Sequence, residues 1–201
     1  ARQVALTSTG STDGFTGTNA AISGGFTNID SLTGSLATTD TLTGLDTTAN
    51  WILDTANSEY NVGVNHLDFN SFENLIGGSL ADSFAFTGTA TFNGDLDGGL
   101  GADGFDFSGY GSAVSINLQT MQVPGLLGGS YTSIEGMIGS AFDDSLFGPN
   151  AGANFNMTAP AAGNVSNAFG FSSIEILNGG SGVDNLDYSA YGSAVTLDMQ
   201  L

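Results

Sequence analysis

GGSGVDNLDYSAYGSAVTLDM, residues 179–199, has an earlier copy in GGLGADGFDFSGYGSAVSINL, residues 98–118. The two align without a gap, from Gly98 on Gly179 to Leu118 on Met199. With one residue added at the front, over 97–118 and 178–199, eleven of twenty-two positions are identical. Such agreement marks a chain built by internal repetition, and repetition decides architecture before any single residue does.

Outward from these copies a second, shorter repeat appears. FTNIDSLTGSLATTDTL starts at Phe26, FNSFENLIGGSLADSF at Phe69, YTSIEGMIGSAFDDSL at Tyr131 and FSSIEILNGGSGVDNL at Phe171. The shared pattern is aromatic, two residues, apolar, acid, then Gly, and later Asp followed by a large apolar residue. Apolar positions alternate with polar ones, as in Phe171, Ile174 and Ile176 or Val195, Leu197 and Met199. Alternation over four to six residues closed by Gly, Asn or Asp predicts short, half-buried strands, and no segment carries a sustained helical stripe.

The Asp that closes each motif falls at 40, 82, 103, 144 and 184, at intervals of 42, 21, 41 and 40. These are near multiples of about 20 residues, the length of one coil of a repeat solenoid. The expected fold is therefore all-β, a right-handed parallel β-solenoid with coils of roughly 20 residues. A β-sandwich array is the alternative. About ten coils at about 4.8 Å each would make a rod somewhat under about 50 Å long. The segments 50–64 and 150–169 read as degenerate coils. Residues 1–25, rich in Thr, Ser and Gly, read as a linker or an atypical end coil. Residues 26–201 read as one repetitive domain.

Composition narrows the partners. The net charge is −19, Arg2 is the only basic residue, and there is no lysine. Nucleic acid and anionic membrane surfaces are excluded as partners, since both need Lys and Arg. No apolar run approaches the roughly 18 residues of a membrane span. There is no cysteine, so neither disulfides nor thiol chemistry operates. Forty per cent of residues are hydrophobic, enough for a core. The first residue is Ala1 and the last, Leu201, follows a repeat strand, which reads as a processed chain or a piece of a longer repetitive protein.

The glycine-rich motif has its own chemistry. Glycines permit tight corners and let carbonyls turn toward a common point, where the Asp adds a carboxylate. Stacked coils would bring such carboxylates to about 5 Å, where like charges repel by about 1 kcal/mol even in water. A bound cation would relieve this, and an all-oxygen ligand set suits Ca²⁺. The alternative is a corner in which the Asp caps the turn through its own hydrogen bonds.

GGLGADGFD (98–106) and GGSGVDNLD (179–187) resemble the GGxGxDxUx nonapeptide of hemolysin-type calcium-binding (RTX) repeats. The wider phrases resemble degenerate RTX-like strand repeats of large secreted bacterial surface proteins, over roughly 69–201 and more weakly 26–68. The resemblance implies Ca²⁺ held by Gly98, Gly99, Gly101 and Asp103, and by Gly179, Gly180, Gly182 and Asp184. Partial matches are Gly77, Gly78 and Asp82, and Gly139 and Asp144. Family sites use tandem nonapeptides, whereas the two full motifs here stand far apart, one starting at Gly98 and the other at Gly179.

No catalytic constellation stands out. His66, the lone histidine, reads as a polar strand residue and Trp51 as core. The pairs Asp143/Asp144 and Asp95/Asp97 read as turn or cation residues rather than glycosidase acids. Tyr110 and Tyr191 recur with the repeat and read as packing. Asn156-Met-Thr158 and Asn164-Val-Ser166 fit the N-glycosylation pattern.

The expected function is non-enzymatic: an extracellular, cell-surface structural or adhesin repeat. It would act as a stiff rod or filament subunit that self-associates or meets further repeats, with surface glycan or matrix as a further contact. The alternative is a Ca²⁺-dependent folding and secretion module.

Overall fold

The computed structural model describes residues 2–36 and 39–196. Among them there is no helix, and the strands form three sheets. The fold is all-β.

Most neighbours are parallel. In the first sheet Gln3–Thr9, Thr41–Thr43, Asn74–Gly78, Asp95–Gly99 and Tyr131–Thr132 lie side by side. In the second, Ala49–Leu53, Asp82–Phe86, Gly104–Asp106, Gly136–Ile138 and Phe169–Ser172 do the same. The third holds Ser115–Asn117, Ser145–Phe147 and Ile176–Asn178.

Successive sides of a circuit are nine residues apart. Thr41, Asn74 and Asp95 share a rung of the first sheet, and Asn50, Ser83 and Gly104, each nine residues later, share a rung of the second. Gly136, Ser145 and Asn154 hold equivalent positions on three successive sides, as Ile176 and Asn185 do on two.

A circuit of the expected length occurs only once, between Ser83 and its partner Gly104. The steps from Asn50 to Ser83, Gly104 to Gly136 and Gly136 to Gly170 are each about half as long again. The first two sheets are therefore five parallel strands deep, not about ten. The longer circuits hold a third side, such as Ser115–Asn117, an antiparallel excursion, or, from Gly136 to Gly170, both.

Those excursions replace the degenerate coils expected at 50–64 and 150–169. Ala49–Leu53, Ser58–Val62 and Asn65–Asn70 form an antiparallel meander, as do Asn154–Ala159, Ala162–Val165 and Phe169–Ser172. Two-residue connections such as Gly63-Val64, with Gly63 at φ 59°, turn the chain straight back. Residues 2–25, expected as a linker or an end coil, hold strands. Gln3–Thr9 is the outermost parallel strand of the first sheet, and Phe15–Asn19 and Ile22–Ile29 pair on antiparallel beyond it. This covers an edge that would otherwise offer unpaired backbone groups.

The inward rungs are apolar. Val4, Leu42, Leu75, Leu96 and Tyr131 line up in the first sheet. Trp51, Phe84, Phe105, Met137 and Phe171 line up in the second. All ten are buried. Trp51 stacks on Phe84 at 5.6 Å, and Phe105 meets Tyr131 edge-on at 5.3 Å. Burying each such side chain stabilises the fold by about 1.5–3 kcal/mol. These ladders tie the sheets into one core.

Candidate functional site: the carboxylate corners

At each corner an acid stands just ahead of a strand, and its carboxylate reaches to the preceding circuit. The N–H of Ala49 donates to Asp82 Oδ1 at 2.9 Å, that of Asp82 to Asp103 Oδ1 at 2.7 Å, and that of Asp103 to Glu135 Oε2 at 2.9 Å. In the third sheet Val114 donates to Asp144 Oδ1 and Asp144 to Glu175 Oε2. In the first sheet Arg2 donates through its backbone N–H to Asp40 Oδ1, and Asp40 to Glu73 Oε2. Ala153 donates to Asp184 Oδ1 at 2.8 Å. A backbone N–H at a strand entrance would otherwise be left without a partner, which is costly where water is excluded.

The second carboxylate oxygen closes the corner itself. Gly78 N–H donates to Asp82 Oδ2 at 2.7 Å, Ser140 N–H to Asp144 Oδ2 at 2.5 Å, and Ser35 N–H to Asp40 Oδ2. The carboxylate folds back over a glycine, five residues before Asp82 and Asp144 and six before Asp40. A Cβ on Gly98 would lie 2.7 Å from the Asp103 carboxylate and 1.9 Å from the Ser133 carbonyl oxygen. That carbonyl is presented by a left-handed corner, Ser133 at φ 53°, which recurs at Ser71 (59°) and Ser173 (54°). These serines hold the position just before apolar-acid in the shorter repeat. The next glycine is needed for conformation: Gly99 has φ 95° and Gly180 φ 87°.

Asp103 departs from the pattern. Gly99 N–H turns to Asp97 Oδ1 at 3.1 Å, so Asp103 Oδ2 is buried without a hydrogen-bond partner. Burial raises the Asp103 carboxyl, helped by the charges of Glu135 and Asp97 and opposed by the bond from Asp82 N–H. Burial also pushes Asp82 up to about 6, with Asp103 adding to it and the bonds from Gly78 and Ala49 opposing. Asp40 goes the other way. The Ser35 hydroxyl, then the N–H groups of Ser35 and Arg2, hold it low against the effect of burial.

Of the expected metal-binding residues, the structure brings Gly98, Gly99 and Asp103 to one corner, beside Asp82 with Gly77 and Gly78. Gly101, at φ 140°, packs against Leu80 and Ala81 on the same side. Asp144 with Gly139 stands in a separate corner, and Gly179, Gly180, Gly182 and Asp184 in another. The acids Glu73, Glu135 and Glu175 take part in every ladder although the sequence pattern assigned them no role. Their signal was the nine-residue spacing to Asp82, Asp144 and Asp184.

Trp51 is buried in the core and His66 is exposed on Asn65–Asn70. Tyr110 packs edge-on to Phe107, and Tyr191 to Tyr188. The outer face of the second sheet carries a shallow groove of about 630 Å³, floored by Asn50, Ser83, Gly104, Gly136 and Gly170.

Fold and corners together define an all-β protein of stacked parallel strands with acidic corners. The chain matches no protein-family model, no curated protein and no solved structure.

Proposed function

We propose that this is a non-enzymatic structural repeat protein of the cell exterior, a parallel β-solenoid with nine-residue sides that self-associates through the face of Ile176–Asn178 and Asn185–Asp187. The side length agrees with the nonapeptide of the RTX-like resemblance. The observation that carries the proposal is the contrast at equivalent motif positions: Phe105 is 1% exposed and Leu186 is 46% exposed. Phe105 lies under Met137 and Tyr131 of the next circuit. Among the described residues nothing pairs with the outer side of Ile176–Asn178 or Asn185–Asp187, and Ile176, Val183 and Leu186 face solvent.

At the opposite side Phe15–Asn19 and Ile22–Ile29 extend the first sheet, and Ser58–Val62 and Asn65–Asn70 extend the second, so the two ends of the stack differ. A second copy meeting the face of Ile176–Asn178 and Asn185–Asp187 gains apolar cover and strand pairing. The charge of −19 opposes the contact, and salt or a divalent cation weakens that repulsion. Sedimentation velocity at near-physiological salt, with Ca²⁺ and with chelator, tests the reading. Dimers or larger particles that Leu186→Asp converts to monomers support it. Monomers throughout, up to the highest soluble concentration, sink it. Filaments by electron microscopy would mean that the meander end also engages.

A second reading, a Ca²⁺-stabilised module, is favoured by one observation, the unpartnered Asp103 Oδ2 beside Asp82 and Glu135. Thermal unfolding followed by circular dichroism decides it. A rise in Tm with Ca²⁺ that Asp103→Asn removes supports this reading, and an unchanged Tm ends it.

A further inference from the structure

Away from the corners, the first meander carries the chain's only imidazole between two carboxylates. Ser58–Val62 and Asn65–Asn70 pair antiparallel, with Glu59 opposite Asp68 and Asn61 opposite His66. Strand alternation sends these four outward, while Tyr60 and Leu67 between them are fully buried. Tyr60 is further tied down by the Leu45 N–H, which donates to its hydroxyl at 2.8 Å. One ligand atom each from Glu59, His66 and Asp68 lies within 4.8 Å of the others.

The hydrogen bonds orient the ring. Asn61 Nδ2 donates to Glu59 Oε2 at 3.2 Å, which turns Asn61 Oδ1 toward His66 Nδ1 at 3.0 Å. Nδ1 is thus the side of the ring that faces Asn61, and Glu59 Oε2 lies on that same side at 3.7 Å. That leaves Nε2 facing Asp68 Oδ1 at 2.7 Å.

We propose that Glu59, His66 and Asp68 form a site for a divalent transition metal of the zinc, cobalt or nickel class. An imidazole with two carboxylates suits these ions, whereas Ca²⁺ prefers oxygen alone. Asn61 supplies the outer contact that metal-binding histidines use to fix tautomer and ring orientation. No lysine exists to compete for the acids, and the sole arginine is Arg2. Metal bonds of about 2.0–2.2 Å require Glu59, which lies 3.7 Å from Nδ1 and accepts from Asn61, to swing its long side chain round to the Nε2 side beside Asp68. The site is exposed on one side, which leaves positions for water or for a ligand atom from another molecule.

The full chain, stripped with chelator, is titrated with Zn²⁺ by calorimetry at near-physiological salt. Excess Ca²⁺ is present to occupy non-specific carboxylates. One tight site is expected, weakened about 100-fold or more by His66→Ala and about 10–100-fold by Asp68→Asn and by Asn61→Ala. Cobalt(II) provides a second readout, with visible absorption that disappears in His66→Ala while circular dichroism stays unchanged. Equal stoichiometry and affinity in the wild type and His66→Ala overturns the proposal, as does binding only in many weak steps. The cluster is then a hydrogen-bonded ion pair on the hairpin.

Discussion

The two long copies, compared over 97–115 and 178–196, take the same local shape in opposite surroundings. Gly99 N–H donates to Asp97 Oδ1 at 3.1 Å, and Gly180 N–H to Asn178 Oδ1 at 3.0 Å. Ser108 N–H caps Asp106 at 2.9 Å, and Ser189 N–H caps Asp187 at 2.7 Å. Tyr110 N–H returns to the Phe107 carbonyl as Tyr191 N–H returns to that of Tyr188. Yet Val114 is 2% exposed and Val195 39%. The first copy passes from the first sheet through the second to the third. The second copy starts in the third sheet and continues beside Asn154–Ala159. Local motif sets the corner, and the neighbouring circuit sets burial.

The contrast can be broken most sharply with paired truncations. Phe105→Ala should cost about 3–5 kcal/mol, and Leu186→Ala less than about 1 kcal/mol, in urea unfolding of dilute protein. Equal losses would mean the second copy is covered in solution. Adding a methyl at the first glycine comes next. Gly98→Ala meets the Ser133 backbone and buried Asp103, and should destabilise by about 1–3 kcal/mol. Gly179→Ala meets the exposed Asp184, its carboxylate at 2.4 Å and its Cβ at 2.8 Å, with no backbone clash as close as these, and should lower the melting temperature less than Gly98→Ala does.

Within the corners, Asp144→Asn replaces an oxygen that accepts the Ser140 N–H with a donor and should cost about 1–3 kcal/mol. Asp103→Asn keeps Oδ1 for Asp82 N–H and can place its amide at the unpartnered position. Without metal it should be neutral or stabilising. A large loss in both would mean Asp103 Oδ2 has a partner.

The smallest effect is that of pH. Asp82 is raised in the folded state to about 6 from 3.8, so folding favours its protonated form. Stability should rise as pH falls from 7 toward 4, by about 1–2 kcal/mol for this group once solvent screening is allowed for, and be lost again as pH climbs through 6. Asp40, held low, acts oppositely: its contribution is present above its unfolded value and fades only as pH falls through its lowered one. Urea midpoints at pH 5 and 7, with Asp82→Ala as control, read the difference.

Much of this was legible beforehand. Alternation marked Phe171 and Ile174, which are buried, but equally Ile176 and Val195, which are exposed, and the corner glycines and aspartates marked the strand entrances. The circuit length was not legible, because the third side and the meanders carry the same alternation as the stacked strands. Only pairings between distant parts of the chain, such as Asn50 with Ser83 or Gly136 with Gly170, distinguish them. The closing acids at 73, 135 and 175 were hidden for the same reason, since each acts on a residue one circuit earlier. Leu186 follows the motif as Phe105 does, and its exposure depends on a neighbour rather than on its own motif. Leu197 and Met199 lie outside the described residues.

The corner ladder also imposes a timetable. Ala49 waits 33 residues for Asp82, Asp103 waits 32 for Glu135, Val114 waits 30 for Asp144, and Ala153 waits 31 for Asp184. A chain emerging amino-terminus first always carries an unfinished corner at its growing front, completed one circuit later by an acid not yet delivered. Such a molecule is assembled like masonry, each course locked by the one laid on top.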